Sequence, residues 1–368
     1  MSTRKDKFTK KDKKYMSLAL SLASARHGHT GENPSVGCVI VKNDEILSIG
    51  QTGYNGRPHA EYNAIKNSNV ILEGSTMYVT LEPCSHYGQT PPCTKEIIKS
   101  KISKIIYSVE DVDKKVKGKS LKILKSKNVI VKKGLLKEDI INFYEPYFFN
   151  RNNKMPYITG KIAVTKNNLI YSKGSKKITD IHSDKLTHFL RYKNDSLMIS
   201  YKTLNKDNPK LDCRLEGLQR FSPKRVILDN NLKMNSKSYI FKTANKNNTF
   251  IFYNKAQRKK ILIFKKKGIK LIKSNLLKND DFDIKLIFKK LYKLGCRNLL
   301  VEGGNDLSRS IIKSKLFNQF YLFKSPKNLS KLVAYKNFNC FKNLSQKYKS
   351  KNKIKTQLGK DTITLYKK

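Results

Sequence analysis

One histidine and two cysteines in the first third of the chain have the residue types of a zinc site. His59 begins the tripeptide His-Ala-Glu that ends at Glu61, and Cys84 and Cys93 each follow a proline further along the chain. One imidazole and two thiolates leave the fourth tetrahedral position of Zn²⁺ open for water. The metal lowers the pKa of that water towards neutrality and so makes a hydroxide nucleophile. Glu61 can face this water without being a ligand.

The order of these residues follows the H-x-E and P-C-x-x-C signature of zinc-dependent nucleobase deaminases. In such a site Glu61 takes the proton of the water and passes it to the ring nitrogen and then to the departing ammonia. Two alternatives stay open: a closed structural zinc site with His86 as the fourth ligand, and cysteines that are buried core residues without a metal. Both clusters occur together, in order and beside prolines, which favours the catalytic interpretation.

The segment between the two cysteines carries a more specific resemblance. Eight residues separate Cys84 from Cys93, where the general signature has two. The run 83–93 (PCSHYGQTPPC), with residues 33–41 and 80–83, resembles the deaminase half of the RibD family, which are bifunctional proteins of riboflavin biosynthesis. The resemblance implies a cytidine-deaminase-like three-layer domain that deaminates 2,5-diamino-6-(5-phosphoribosylamino)pyrimidin-4(3H)-one.

The same resemblance implies roles for individual residues of the first half. It implies the zinc ligands His59, Cys84 and Cys93, and the proton shuttle Glu61. It also implies that Asn33 hydrogen-bonds the pyrimidine, because an amide suits a flat edge of donors and acceptors. The alternative for Asn33 is a turn residue before Pro34.

The second half resembles, more loosely, the reductase domain of this family, which has a dihydrofolate-reductase-like fold. The matching motifs lie at residues 161–165, 178–179, 207–211 and 301–307, and the last is a glycine loop before a predicted helix. Glycines let the backbone approach a pyrophosphate, and a helix N-terminus favours its charge. The resemblance implies that NADPH reduces the ribosyl group of 5-amino-6-(5-phosphoribosylamino)uracil to a ribityl chain.

Two sets of residues are implied for this reductase half. The NADPH contacts are Val164, Lys177, Thr203, Asp207, Asn230 and Gly304. The substrate contacts are Ser175, Arg191, Leu211, Arg214 and Glu302. Arginine is scarce, at 11 of the 77 basic residues, so its presence at 191 and 214 fits bidentate phosphate binding. The alternative for both arginines is a surface salt bridge.

Two departures from the family pattern concern the activity of the reductase half. Residues 165–168 (TKNN) occur where the family usually has Ser-Leu-Asp-Gly, and Lys177 occurs where it usually has tryptophan. Without that aromatic ring the cofactor loses a packing surface, which Lys177 replaces only by pairing with a phosphate. A deaminase with a degenerate reductase half is therefore an alternative function.

The hydrophobic pattern predicts an α/β protein of two domains, in agreement with a length of 368 residues. The predicted linker is the polar segment 150–156, which divides a deaminase domain (1–149) from a reductase domain (150–368). The first domain has predicted strands at 36–41, 45–51, 76–81, 104–109 and 129–132, and predicted helices at 59–67, 94–100 and 119–126 after one that opens with Thr9. Predicted strands of the second domain are 157–164, 197–200, 225–228, 250–253 and 298–301.

The composition suggests nucleic-acid binding as a hypothesis, because the formal net charge is +49. A deaminase of the tRNA adenosine type is therefore an alternative, although that class has two residues between its cysteines. Lysine dominates the basic residues and is spread along the chain, whereas arginine is the residue that reads grooves bidentately. A genome rich in A and T, which favours codons for lysine and asparagine, explains the excess better, so we expect no nucleic-acid partner.

The sequence also favours a cytoplasmic enzyme without a membrane partner. No apolar run approaches the roughly 20 residues of a membrane span. The polar, basic start has no apolar region behind it, so no secretory signal is expected. The expected partner is a phosphorylated pyrimidine substrate, which the positive field would attract, and a homo-oligomer stays open.

Overall fold

A computed structural model describes residues 8–172, 178–329, 335–354 and 359–368. The chain divides into two compact units, Met1–Lys154 and Met155–Lys368, and each has its own hydrophobic core. Among the described residues, no helix is both long enough and apolar enough to cross a membrane.

The first unit is a five-stranded sheet with helices. In chain order its elements are α1 (Lys10–Arg26), β1 (Gly37–Lys42), β2 (Glu45–Gln51), α2 (Ala60–Lys66), β3 (Thr76–Leu81), α3 (Cys93–Lys99), β4 (Lys104–Val109), α4 (Lys119–Lys125), β5 (Ile130–Lys133) and α5 (Lys137–Asn153). The strand order is β2-β1-β3-β4-β5. Strand β1 is antiparallel to β2 and β3, whereas β3, β4 and β5 are parallel.

Local sequence explains how α1 begins and how it packs on the sheet. The Thr9 hydroxyl accepts a hydrogen bond from the backbone N–H of Asp12 at 3.0 Å, and the Asp12 carboxylate accepts one from the Thr9 N–H at 2.7 Å, which is a capping box. The helix can approach β1 closely because residue 37 is glycine. A Cβ at Gly37 would lie 1.8 Å from the carbonyl oxygen of Ala19.

The last helix of this unit corrects the sequence analysis. The predicted elements of the first half ended with a strand near 129–132, and 150–156 was predicted as a linker. Instead α5 has 17 residues and continues to Asn153, so the predicted boundary at 149/150 falls inside it. Ile140, Tyr144 and Tyr147 recur at helical spacing, but Pro146 inside the segment indicates a break, because proline removes a backbone donor from a helix interior. The other predicted elements of this unit agree with the structure within one or two residues at each end.

The second unit is a nine-stranded sheet with helices and a two-stranded ribbon. Its elements are β6 (Tyr157–Val164), β7 (Leu169–Ser172), α6 (Ile181–Lys193), β8 (Ser196–Ser200), α7 (Tyr201–Asp207), β9 (Lys224–Leu228), α8 (Tyr239–Lys242), β10 (Thr249–Tyr253), α9 (Arg258–Lys266), β11 (Lys270–Lys273), α10 (Ile284–Lys293), β12 (Asn298–Val301), α11 (Asn305–Lys313), β13 (Gln319–Lys324), β14 (Tyr335–Asn337), α12 (Phe341–Lys347), β15 (Ser350–Ile354) and β16 (Thr362–Lys367). The five strands predicted here are all present.

The topology of the large sheet brings the predicted reductase motifs to one edge. The strand order is β11-β10-β9-β8-β12-β6-β13-β16-β15, and neighbouring strands from β11 to β13 are parallel. Parallel strands end at the same edge, where open α/β sheets bind ligands. The segments that follow β6, β8, β9 and β12 contain the motifs near residues 165, 203, 230 and 304.

The turn after β6 accommodates the first departure from the family pattern. Asn168 has φ +63°, a left-handed conformation that asparagine tolerates better than most residues other than glycine. The Thr165 hydroxyl donates to Asn167 Oδ1 at 2.6 Å, and Asn167 Nδ2 donates to the Leu329 carbonyl at 2.8 Å. The sequence TKNN therefore forms a closed turn. The second departure, Lys177, lies outside the described residues, as does Ser175.

Candidate active sites

The three predicted zinc ligands meet in the first unit. His59 is the N-cap residue of α2, Cys93 is the first residue of α3, and Cys84 lies between β3 and α3. His59 Nδ1 is 3.5 Å from Cys84 Sγ and 3.4 Å from Cys93 Sγ. All three donor atoms lie within 4.8 Å of one another. Tetrahedral zinc with Zn–N and Zn–S bonds of about 2.0 and 2.3 Å needs donor atoms roughly 3.6 Å apart, so the cluster fits the metal.

Hydrogen bonds at the start of α3 favour the thiolate form of Cys84. The backbone N–H of Cys93 donates to Cys84 Sγ at 3.3 Å. Hydrogen bonding from Cys93 and from His59 lowers the pKa of the Cys84 thiol to about 4. Thiolate is the form that binds metals. His86 does not belong to the cluster in the part of the chain that the structure describes, so the alternative of a four-ligand structural site has no support.

Glu61 lies beside the metal cluster on the first turn of α2. Its side chain is buried, and burial raises the pKa of its carboxyl group to about 7. Because α2 begins one residue after His59, Glu61 is the second residue of the helix. A carboxyl group with a pKa near neutrality can both accept and release a proton at the working pH.

Asn33 has a structural contact as well as a predicted substrate contact. Its Nδ2 donates to the carbonyl oxygen of Gly56 at 3.0 Å, which ties the loop before β1 to the loop that leads to His59. Gly56 has φ +92°, and a Cβ there would lie 2.6 Å from Asn33 Nδ2. The amide nitrogen of Asn33 therefore has a structural role, as the alternative of a turn residue predicts. The contact of Asn33 with a pyrimidine stays a prediction.

The second unit contains a cavity of about 1490 Å³ at the carboxyl edge of its parallel strands. Six of the predicted reductase residues line it: Thr203, Asp207, Leu211, Asn230, Glu302 and Gly304. The volume exceeds the range of about 300–1,000 Å³ that is usual for one small ligand. The cavity can therefore take a nucleotide cofactor together with a second molecule.

The glycine loop has the features of a pyrophosphate site. Gly304 is the N-cap residue of α11 and provides no side chain to cap its first turn. Asn305 Oδ1 is buried without a hydrogen-bond partner. A Cβ at Gly304 would meet nothing closer than Thr203 Oγ1, at 3.8 Å. Free N–H groups, an open glycine surface and an unpaired buried amide oxygen fit the phosphates of a nucleotide cofactor.

Two predicted substrate residues form an ion pair: Glu302, which lines the cavity, and Arg191, which does not. Arg191 Nε and Nη2 donate to the two carboxylate oxygens of Glu302, both at 2.7 Å, and Arg191 Nη1 donates to the Asp212 carbonyl at 3.0 Å. Burial alone would raise the pKa of Glu302, but the Arg191 guanidinium holds it below its ordinary value. Glu302 is therefore ionised at neutral pH.

Lys161 is a cavity residue that the sequence analysis quoted in a motif without giving it a role. It lies on β6, lines the cavity, and burial lowers the pKa of its ammonium group while Glu302 opposes the shift. The sequence signal that could have identified Lys161 is a lysine inside a mostly apolar strand. Burying a charge costs free energy, so such a residue indicates a function.

Val164 and Arg214 do not line the cavity either. Val164 is fully buried, and its carbonyl oxygen accepts a hydrogen bond from Ser325. Arg214 Nη1 donates to Asp212 Oδ1 at 3.2 Å, and about half of its side chain is exposed. Their roles towards cofactor and substrate stay predictions.

Comparisons with known proteins agree with this architecture. Residues 9–109 match the cytidine and deoxycytidylate deaminase zinc-binding region, and residues 160–335 match the RibD C-terminal domain. The riboflavin biosynthesis protein RibD of Aquifex aeolicus is 33% identical over 97% of this chain and 98% of its own length. That of Actinobacillus pleuropneumoniae is also 33% identical, over 87% of this chain and 85% of its own.

Two solved structures resemble the whole chain. Acinetobacter baumannii RibD has a TM-score of 0.84 at 25% identity and covers 97% of this chain and 99% of its own. A diaminohydroxyphosphoribosylaminopyrimidine deaminase/5-amino-6-(5-phosphoribosylamino)uracil reductase from Thermotoga maritima has a TM-score of 0.81 at 26% identity, covering 97% and 98%.

These matches confirm the predicted fold class, an α/β protein with a cytidine-deaminase-like domain followed by a dihydrofolate-reductase-like domain. They also confirm the predicted enzyme class, and the zinc-binding cluster of the deaminase region is His59, Cys84 and Cys93. The reductase region implies a nucleotide cofactor. The chain therefore belongs to the RibD family, the bifunctional deaminase–reductases of riboflavin biosynthesis.

Proposed function

We propose that this chain deaminates 2,5-diamino-6-(5-phosphoribosylamino)pyrimidin-4(3H)-one and then reduces the ribosyl group of 5-amino-6-(5-phosphoribosylamino)uracil to ribityl with NADPH. The observation that carries the proposal is the juxtaposition of His59, Cys84 and Cys93 with the buried carboxyl group of Glu61. The Thermotoga maritima relative is named for both reactions. Deamination belongs to the first unit, Met1–Lys154, and reduction to the second unit, Met155–Lys368. The cytoplasmic location stays a prediction.

In the first reaction, Glu61 moves the proton. Zinc bound by His59, Cys84 and Cys93 supplies an activated water. Glu61 accepts a proton from this water and delivers it to the ring nitrogen, and then to the amino group that leaves as ammonia, so that a C–N bond is exchanged for a C–O bond. Its pKa near 7 suits both steps. Asn33 orients the flat pyrimidine through its remaining amide oxygen.

In the second reaction, the cavity of the second unit takes cofactor and substrate together. NADPH held there would supply the hydride for the sugar carbon. Gly304 and the first turn of α11 bind the pyrophosphate, and Thr203 and Asp207 contact the rest of the cofactor. Lysines in the cavity wall, among them Lys202, Lys206 and Lys233, favour a cofactor with the additional phosphate of NADPH over NADH.

The substrate of this reaction lies against the ion pair and the lysine of β6. Glu302, held by Arg191, accepts hydrogen bonds from the sugar hydroxyls. Lys161 holds a proton near the sugar oxygen that gains charge as the ring opens, and its lowered pKa makes that proton easier to donate. Arg214 binds the phosphate, and Leu211 packs against the pyrimidine.

Mass spectrometry of the products from the diaminopyrimidine ribotide, with and without NADPH, tests both reactions. We expect the deaminated ribosyl compound without NADPH and the deaminated ribityl compound with it. Recovery of unchanged substrate from zinc-loaded protein would contradict the proposal. A product that stays ribosyl with NADPH present would instead identify a degenerate reductase half.

A further inference from the structure

Arg57 is a cation beside the metal cluster to which the sequence analysis gave no role. It lies two residues before His59 in the loop that leads into α2. Its Nη1 donates to Thr90 Oγ1 at 2.6 Å, and a Cβ at Gly88 would lie 3.5 Å from its Nη2. Thr90 and Gly88 both belong to the segment between Cys84 and Cys93. The guanidinium therefore lies where the loop of the histidine ligand meets the segment that joins the cysteine ligands.

Among the described residues, the charge of Arg57 has no counter-ion. Across residues 8–172 and the other described ranges, no salt bridge to Arg57 is formed. Its hydrogen bond to the neutral hydroxyl of Thr90 uses one of the five N–H groups of a guanidinium. By contrast, Arg191 and Arg309 each pair with a carboxylate.

The remaining donors of Arg57 suit a phosphate. A guanidinium held in place by one hydrogen bond can present two parallel N–H groups to phosphate oxygens. A phosphorylated substrate needs such donors near the site that holds its base, because its phosphate carries negative charge. The absence of a side chain at Gly88 leaves room beside Nη2.

We propose that Arg57 binds the phosphate of the ribotide at the deaminase site and makes this site selective for the phosphorylated substrate. The inference rests on the proposed function, because it takes the ribotide as the substrate of the first unit. Thr90 is a positioning residue that holds the guanidinium towards the substrate.

The test compares zinc-loaded wild-type and variant proteins on two substrates, the ribotide and the same compound after phosphatase treatment. Ammonia release gives kcat and KM for each. For Arg57→Ala and Arg57→Gln we expect KM for the ribotide to rise about tenfold to a hundredfold, because hydrogen bonds between charged groups are lost. We expect kcat to stay within about threefold and the dephosphorylated substrate to be unaffected. Arg57→Gln is included because its amide can still donate to Thr90, which preserves the loop.

Matched variants distinguish a specific contact between Arg57 and the phosphate from a general electrostatic effect of nearby positive charge. Lys95 lies on α3 and donates to the hydroxyl of Tyr87 at 3.3 Å, so Lys95→Ala removes a nearby positive charge that already has a partner. We expect it to leave the KM for the ribotide unchanged. Thr90→Val is expected to raise that KM by less than Arg57→Gln does, whereas Thr90→Ser keeps the hydroxyl and the wild-type value.

Competition by inorganic phosphate gives a second measurement that does not depend on the reaction rate of the variant. We expect phosphate to compete with the ribotide in the wild type, and more weakly in Arg57→Gln. An equal rise in KM for both substrates, a loss of bound zinc, or the same effect from Lys95→Ala would overturn the role of Arg57. If the wild type itself does not prefer the ribotide, the proposed substrate is wrong, which is a separate result.

Discussion

Arg191 and Glu302 form a bidentate ion pair in which both N···O distances are 2.7 Å, and their side chains are only 10% and 14% exposed. A third donor of Arg191 is bonded to the carbonyl oxygen of Asp212. Three of the five N–H groups are thus used within the protein. Arg191 therefore orients Glu302 and the segment around Asp212, and has little capacity left to bind a phosphate by itself.

The first prediction concerns this ion pair. Arg191→Lys keeps the charge but cannot make two parallel hydrogen bonds to Glu302. We expect reductase kcat/KM to fall at least tenfold, as hydrogen bonds between charged groups contribute about 1.5–3 kcal/mol. Deaminase activity of the same preparation, measured by ammonia release, should stay at the wild-type level. The control for stability is Arg214→Lys, because the Arg214 side chain is half exposed. The free energy of unfolding should fall more in Arg191→Lys than in this control. An equal loss in both variants would contradict a special role for the buried pair.

The second prediction is a pH dependence of stability at His188. This residue of α6 is buried, its Nδ1 lies 3.2 Å from the backbone N–H of Arg214, and Asp212, Arg191 and Arg214 surround it. Burial and the two arginines lower the pKa of its imidazole below 6.5. The unfolded chain then binds a proton at a higher pH than the folded chain does. The free energy of unfolding should therefore fall as the pH drops below about 6.5.

His188→Asn lacks the titrating group and can still offer an acceptor to Arg214. We expect its stability to fall less than that of the wild type between about pH 7.5 and pH 5.5, in denaturant titrations at both values. Identical changes in the two proteins would show that His188 does not contribute to the acid sensitivity.

The third prediction concerns the glycine loop. A Cβ at Gly304 fits the protein, since the nearest atom is 3.8 Å away and φ is −67°, but it would occupy the surface where a pyrophosphate lies. Gly304→Ala should leave the free energy of unfolding within about 0.5 kcal/mol of wild type. Titration of NADPH against protein fluorescence should show an affinity at least tenfold weaker. Unchanged affinity would place the pyrophosphate elsewhere in the cavity.

The fourth prediction follows from the division into two compact units with separate cores. Removal of zinc by a chelator should abolish ammonia release but leave NADPH oxidation with the deaminated substrate within about twofold of the untreated protein. The reason is that His59, Cys84 and Cys93 all lie in the first unit. Loss of both activities in parallel would mean that zinc stabilises the whole chain.

The strands and the metal ligands could be predicted because local sequence determines them. The apolar run around Cys38 indicates a buried strand, and the capping box of Thr9 and Asp12 marks a helix start. His59 and Cys93 are at helix starts, so their positions follow from those helices. Their convergence with Cys84 was inferred from the family spacing.

Features that depend on distant parts of the chain were missed. Tyr144 joins α5 to the core, because its hydroxyl donates to the Ser35 carbonyl and lies 2.7 Å from Thr80 Oγ1. Both partners are more than 60 residues away in sequence. No local pattern indicates these contacts. The pairing of Arg191 with Glu302 likewise joins residues 111 positions apart. The sequence analysis identified Arg191 and Glu302 individually as substrate residues, but it could not predict that they contact each other.

The most direct test of the account is the replacement of Glu61 by glutamine, with zinc content and ammonia release measured on the same protein. Glutamine keeps the size of the side chain and leaves His59, Cys84 and Cys93 in place, but it cannot carry the proton. We expect about one zinc per chain, as in the wild type, and a fall in kcat of at least about 10²–10⁴-fold. A variant that binds zinc and still releases ammonia at the wild-type rate would contradict the assignment of proton transfer to Glu61.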